Sequence, residues 1–332
     1  MQLPVELICE ITSYLVADDC VCPGDEIMFN PAKPNPRQLH DLASLRLVSK
    51  KCCGCATPLL FRRVDVVSSI EALKEMSRLL QISTSRLAGC VRRVDFGIAR
   101  PDDLPYPADT RILQPVLKTL SVALLDLDLP KLQELHINYP FAHDLARLLH
   151  DESRPSRNHI AEVFRRLRHL GIHLTESKSQ IDWPYPQRHW YDAPSNRECV
   201  GNVIELVALA ENLQSLDLGS CEAVDLDGLA APRSWRLRSL KLQGTTISPA
   251  NLMRLIGGSR DTLESVLLLE VEFKSGTWEQ VLQAVARIEP SILFNFQMHT
   301  CMYSVHGTSA ELYLGVDGAW EYDDDPPPII TH

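Results

Sequence analysis

The sequence predicts an α/β protein: a short all-helical segment followed by a long alternation of strands and helices. Three observations carry this. Apolar residues recur at helical spacing over the first fifteen positions. A Leu-x-x-Leu-x-Leu phrase then returns through most of the remaining length. Between its copies lie stretches with amphipathic helical periodicity.

The first helix is the clearest. At 100° per residue, Leu3, Leu7, Ile11 and Leu15 step slowly along one side, with Ile8 and Tyr14 in the same arc and Glu6, Glu10 and Ser13 opposite. Pro4 suits a first turn, where its missing N–H is no loss. The apolar stripe is somewhat broader than 100°, the width a core-facing helix needs. A second helix is expected over 42–48 with Asp41 as N-cap. Ser49 is placed to cap a third, which runs through the cysteines until Pro58 interrupts it. Three helices of this size bury little by themselves, so a partner over their apolar surface is expected.

Leu3-Pro4-Val5-Glu6-Leu7, Ile11, Ser13-Tyr14-Leu15 and Leu45-Arg46-Leu47-Val48-Ser49-Lys50 together resemble an F-box, in its fungal form. Ala56-Thr57-Pro58-Leu59-Leu60-Phe61 is similar to the stretch that closes that form. The resemblance implies helices that dock onto the Skp-type adaptor of a cullin–RING ubiquitin ligase, through Leu3, Pro4, Leu7, Ile8, Ile11, Leu15, Leu45 and Val48. Sequence alone does not separate those that touch the adaptor from those that hold the three-helix core. The segment between Ala17 and Gln38 departs from the family pattern. It is longer than the usual connection and carries Pro23, Gly24, Pro31, Pro34 and Pro36. It reads as a surface loop, tolerable because closure entropy grows slowly with length.

Eight strand phrases follow, beginning at Phe61, Val91, Leu132, Leu167, Leu213, Leu237, Leu263 and, in degenerate form, Ile292. Successive starts are 30, 41, 35, 46, 24, 26 and 29 residues apart. The last three lie at or near the spacing of leucine-rich repeats, and the earlier ones are stretched by insertions. Apolar residues at i, i+3 and i+5 turn a short strand's side chains into the core, and a helix returns on the far side. Helices are expected at 70–82, 112–125, 200–213, 249–256 and 278–288. No unit buries its apolar face alone, so neighbours must stack. Leu213-Gln-Ser-Leu-Asp-Leu-Gly-Ser-Cys221 resembles the cysteine-containing class of leucine-rich repeat, and Leu242-Gln-Gly-Thr245 resembles the same frame with Thr in the Cys place. A small polar side chain there is expected to bond the backbone as it leaves the strand. Residues 1–58 thus form the F-box-like part with its loop at 17–38, 59–315 the irregular solenoid, and 316–332 an acidic, proline-rich tail that solubilises or meets a basic partner.

Composition narrows the function. With 332 residues the length suggests two domains, and 45% hydrophobic with 23% charged residues is ordinary for a globular chain. A net charge of −10 argues against nucleic acid or anionic membrane as the main partner. No apolar run approaches the ~20 residues that span a bilayer. The chain enters its amphipathic helix without a secretory signal, which points to an intracellular location, with the ten cysteines as reduced thiols.

Catalytic signatures are missing: there is no G-x-S-x-G, H-E-x-x-H, P-loop or dinucleotide fingerprint. Cys20-x-Cys22 and Cys52-Cys53-x-Cys55 lack the paired C-x₂₋₄-C spacing of zinc sites and read as free thiols. His136, His143, His150 and His159 are spaced for neither a helical nor a strand pair and read as solvated. No cofactor or metal is expected. One insertion stands out: Trp183, Tyr185, Arg188, Trp190 and Tyr191 fall in a proline-broken loop, residue types enriched at binding hot spots. Either they bind a protein substrate or they pack against the solenoid flank, and sequence leaves both open.

The resemblance implies a substrate-recognition subunit of an SCF-type E3 ubiquitin ligase, not itself an enzyme, with the F-box on the adaptor and the repeats on the target. Three other readings stand beside it. They are an interaction scaffold acting outside a ligase, a leucine-rich protein whose helices merely cap its solenoid, and an enzyme of unrecognised type.

Overall fold

The computed structural model describes residues 4–14, 36–68, 87–98, 129–139, 142–149, 157–174, 195–230, 232, 234–287, 295–299, 301–305 and 308–312. The chain divides into two compact units, Met1–His136 and Ile137–His332. Leu3, Leu15, most of the loop at 17–38, the expected helices at 70–82 and 112–125, the aromatic insertion and the acidic tail lie outside the described residues. The class is α/β, as the sequence predicts.

The first unit begins with three helices: α1 (Val5–Tyr14), α2 (Pro36–Val48) and α3 (Lys50–Leu60). The second starts at Pro36, not Leu42, so Asp41 is a mid-helix residue and no N-cap. Proline's fixed φ is already helical, and its absent N–H falls where no intrahelical acceptor exists. Ser49 caps α3 as expected, its hydroxyl accepting from the Cys52 N–H at 3.1 Å. That helix runs past Pro58, where the sequence reading stops it. In a final turn the ring removes one hydrogen bond without ending the helix, because the Phe61 N–H still reaches the Thr57 carbonyl at 3.1 Å. The guanidinium of Arg46 lies 5.1 Å over the Phe61 ring. Two parallel strands follow, β1 (Arg63–Ser68) and β2 (Arg93–Ile98), with Val64 opposite Val94 and Val66 opposite Phe96. Arg63 and Arg93 both reach Asp95, at 2.7 and 2.8 Å.

Strand β3 (Glu134–Tyr139) straddles the division between the units. The second unit continues with α4 (Ala142–Leu149), α5 (Arg157–Arg166), β4 (His169–Leu174), α6 (Asn196–Leu209), β5 (Ser215–Asp225) and β6 (Ser239–Ile247). Then come α7 (Pro249–Gly258), β7 (Ser265–Phe273), α8 (Trp278–Ala286), β8 (Asn295–His299), β9 (Cys301–Val305) and β10 (Thr308–Leu312). Strands β4 to β8 pair in sequence order and in parallel. Beyond them β9 touches the end of β7, and β10 closes an antiparallel hairpin on β9 that the sequence reading lacks.

The register follows the phrases. Leu170, Leu216, Leu240 and Val266 stand opposite one another, and so do Ile172, Leu218, Leu242 and Leu268. All eight are buried, as are Leu167, Leu213, Leu237 and Leu263 just ahead of each strand. A one-residue slip would turn both columns outward, so the apolar pattern itself sets the pairing. Helix α6 starts four residues before the expected 200. Ser195 and Glu198 form a capping box, with the Ser195 hydroxyl accepting from the Glu198 N–H at 3.2 Å and the Glu198 carboxylate from the Ser195 N–H at 2.8 Å. Helices α4 and α5 are absent from the sequence reading. Their buried Leu145, Leu148, Leu149, Ile160, Val163 and Phe164 show the i, i+3, i+4 spacing that marks them.

Cys221 and Thr245 are not equivalent, contrary to expectation. Residues 220–223 bulge from β5, so that Gly219 pairs with Gln243 and Val224, not Cys221, with Thr245. Cys221 is exposed. Thr245 is fully buried, and its hydroxyl meets no hydrogen-bond partner instead of bonding the departing backbone. Thr245→Val is therefore expected to stabilise the chain by up to about 1 kcal/mol, since it removes a buried hydroxyl that contributes no bond. Urea unfolding of the two proteins side by side reads this directly.

Candidate docking surface

The three N-terminal helices share a small core. Ile8 (8% exposed) and Thr12 of α1, Leu42 (2%) of α2, and Cys52 and Ala56 of α3 are its buried members. The Thr12 hydroxyl donates to the Ile8 carbonyl, which lets a polar side chain sit inside. What remains outside is unusual for a folded module. Val5 is 42% exposed, Leu7 44%, Ile11 51%, Leu47 89% and Val48 71%. Leu7 and Ile11 are one turn apart on the same side of α1, and Leu47 and Val48 end α2.

This separates what sequence left together. Of the residues implied for adaptor docking, Ile8 is core, Leu45 is half-buried, and Pro4, Leu7, Ile11 and Val48 face outward. Leu3 and Leu15 lie outside the described residues. Val5 and Leu47 belong with the outward set, and the sequence reading did not include them. The signal for Leu47 was present: with Leu42 inward, a helix turns Leu39, Leu45 and Arg46 the same way and leaves positions 47 and 48 off that stripe. Exposed aliphatics gathered on one small module mark an interaction surface, whereas single ones scattered elsewhere carry no such meaning.

The second unit carries a polar cluster on the strand face turned away from its leucines. Asp217 of β5 sits between His173 of β4 and Lys241 of β6, with Nε2 to Oδ1 at 3.1 Å and Nζ to Oδ2 at 3.3 Å. The His173 ring occupies the place a Cβ on Gly219 would need, its Nδ1 being 2.4 Å from that position, so the glycine admits the imidazole. Burial pushes the Asp217 carboxyl up. The charges and hydrogen bonds of His173 and Lys241 outweigh that and hold it below the usual carboxylate range. A carboxylate flanked in this way by an imidazole and an ammonium is the centre of an ion-pair cluster on the strand face. These positions escaped the sequence reading because they alternate with the phrase leucines, and only strand register brings three of them together.

Asp227 is held down in the same way. Burial raises it, but the Asn251 amide (2.9 Å), the Ser248 N–H (2.6 Å) and Lys274 (3.1 Å) more than offset this. Both folded-state values lie below the unfolded value near ~3.9, so both groups stabilise the protein above that pH and cease to do so as pH falls through the folded values. Unfolding free energy should therefore drop on acidification below about pH 4. Asp227→Asn should flatten that dependence in urea titrations repeated at pH 7, 4 and 3. Constant stability over this range would contradict the assignment.

Trp183, Tyr185, Arg188, Trp190 and Tyr191 lie outside the described residues. Among the described residues no group of three or more His, Cys, Asp or Glu side chains is placed to hold a metal ion, and no helix is long and apolar enough to cross a membrane. No protein-family model matches this chain, and no curated protein matches it.

Proposed function

We propose that this chain is the substrate-recognition subunit of a cullin–RING, SCF-type ubiquitin ligase, its N-terminal helices docking a Skp-type adaptor and its strand–helix repeats holding the target. The observation that carries this reading is the exposure of Leu7, Ile11, Leu47 and Val48 on a helical module whose core is filled by other residues. Leu47 and Val48 are mostly exposed and Leu7 and Ile11 about half exposed, so their remaining apolar surface is available to a partner. The F-box resemblance over residues 3–61 supplies the partner's class. The leucine-rich-repeat reading of the second unit draws support from the sequential parallel strands and the aligned leucine columns.

The mechanism is proximity. A bound target and a conjugating enzyme held on one assembly turn a bimolecular transfer into an effectively intramolecular one. The covalent chemistry belongs to the conjugating enzyme, and this chain contributes orientation only.

The test is retention of a Skp-type adaptor and a cullin by the purified full chain on a column. Retention of both supports the ligase receptor. Retention of adaptor without cullin favours a scaffold outside the ligase. No retention by a folded chain leaves a leucine-rich interaction protein whose helices only cap its solenoid.

A further inference from the structure

We infer that Cys9 and Cys55 form a peroxide-driven, reversible disulfide that staples α1 to α3. Their sulfur atoms lie 2.8 Å apart, far inside van der Waals contact, although the residues are separated by 46 positions and sit on different helices. The Cys55 sulfur also approaches the Val5 carbonyl at 4.0 Å, so α1 crosses α3 at this point. Cys9 is exposed and Cys55 half-exposed, which gives an oxidant access, whereas Cys52 is buried in the helical core. The sulfurs have only to close from 2.8 Å to the ~2.05 Å of a disulfide bond. The inference does not depend on which partner covers the docking surface, because at 100° per residue Cys9 faces the side of α1 opposite Leu7 and Ile11.

The chemistry balances with hydrogen peroxide as oxidant. The Cys9 thiolate attacks one peroxide oxygen and the O–O bond breaks, leaving a sulfenic acid on Cys9 and hydroxide, which takes up the Cys9 proton as water. The Cys55 sulfur then attacks the Cys9 sulfur. The S–O bond breaks, and the departing hydroxide leaves with the Cys55 proton as a second water. Two thiols are oxidised by two electrons and one peroxide is reduced. The order of events follows from access: Cys9 is exposed and meets the oxidant first, whereas Cys55 is more covered, its thiol is pushed up by the Cys9 sulfur beside it, and it acts second. Cys53 is the competitor. Its thiol is pulled down by its hydrogen bond with Thr57 and by Arg46, but among the described residues no second sulfur is hydrogen-bonded to it to resolve a sulfenic acid.

The experiment treats the purified full chain with hydrogen peroxide, blocks remaining thiols, and maps peptides without reductant. The expected result is a Cys9–Cys55 peptide pair lighter by two hydrogens than the two thiol peptides, abolished by dithiothreitol and missing from Cys9→Ser and from Cys55→Ser. The staple closes a loop of 46 positions. It should raise the thermal midpoint of the oxidised wild type by at least about 4 °C over the reduced protein, with no such rise in either variant. Cross-links from Cys9 to Cys20 or Cys22 would overturn the inference. So would oxidation at Cys53 alone with Cys9 and Cys55 still blocked as thiols.

Discussion

Replacing Leu7 and Ile11 together by Asp is expected to release the Skp-type adaptor while the chain stays folded. Full burial of an aliphatic side chain contributes about 1.5–3 kcal/mol, and about half of that is still available at Leu7 and at Ile11, so losing two anchors corresponds to roughly ten- to hundred-fold weaker binding before the cost of burying two carboxylates is added. The fold should tolerate the change because both side chains are about half exposed already. Leu47→Asp should act in the same direction, since that side chain is nearly free of contacts within the chain. Ile8→Asp is the contrast. Ile8 lies in the helical core, so this variant should lose helical signal as well as binding. Calorimetric titration paired with circular dichroism separates the two outcomes. Adaptor bound at wild-type affinity by a folded Leu7/Ile11 double variant would remove the docking face proposed above.

Gly244→Ala is expected to have the largest effect on stability in the second unit. Gly244 has φ +56°, and a Cβ there would stand 1.9 Å from the Ser220 carbonyl oxygen, a backbone atom held in the β5 bulge. The left-handed conformation alone costs an L-residue about 1–2 kcal/mol. The clash cannot be relieved by rotating a side chain, so β6 must move away from the bulge. A loss of at least about 4 kcal/mol follows, a large part of the ~5–15 kcal/mol a domain possesses. Gly201→Ala is the control. Gly201 lies inside α6 with open space around its Cβ position, and the same substitution there should stabilise the protein by about 0.8–1 kcal/mol. Urea unfolding of both variants checks the pair, and equal signs would contradict the account.

The bulge also shows where pattern reading ends. Counting from Leu213 and Leu237 makes Cys221 and Thr245 equivalent, because counting assumes that each strand advances one residue for one. Three extra residues in β5 break the count, and they are accommodated by what the neighbouring strand offers: a glycine at 244 that lets the backbone approach. The bulge then turns toward α6, where the Glu222 carboxylate accepts from the Asn196 N–H at 3.1 Å and the Ala223 carbonyl from Arg197 at 3.1 Å. Local sequence carries no trace of those contacts. Helix starts tell a milder version of the same lesson. Ser49 is legible as the cap of a helix that runs through the cysteines after it, while Pro36 reads as loop because prolines crowd the residues before it.

The sequence by itself determined the α/β class, the positions of β1 to β8 and the helical nature of the first segment. Each of these depends on periodicity, and periodicity is a local property of side-chain direction along one element. Only the tertiary structure decided that Ile8 is core while Leu7 and Ile11 face outward, that Leu47 and Val48 end up exposed, and that Cys9 meets Cys55. An amphipathic stripe broader than its contact with the neighbouring helices leaves one shoulder uncovered. Which shoulder is set by where α3 packs against it, and that depends on residues dozens of positions away.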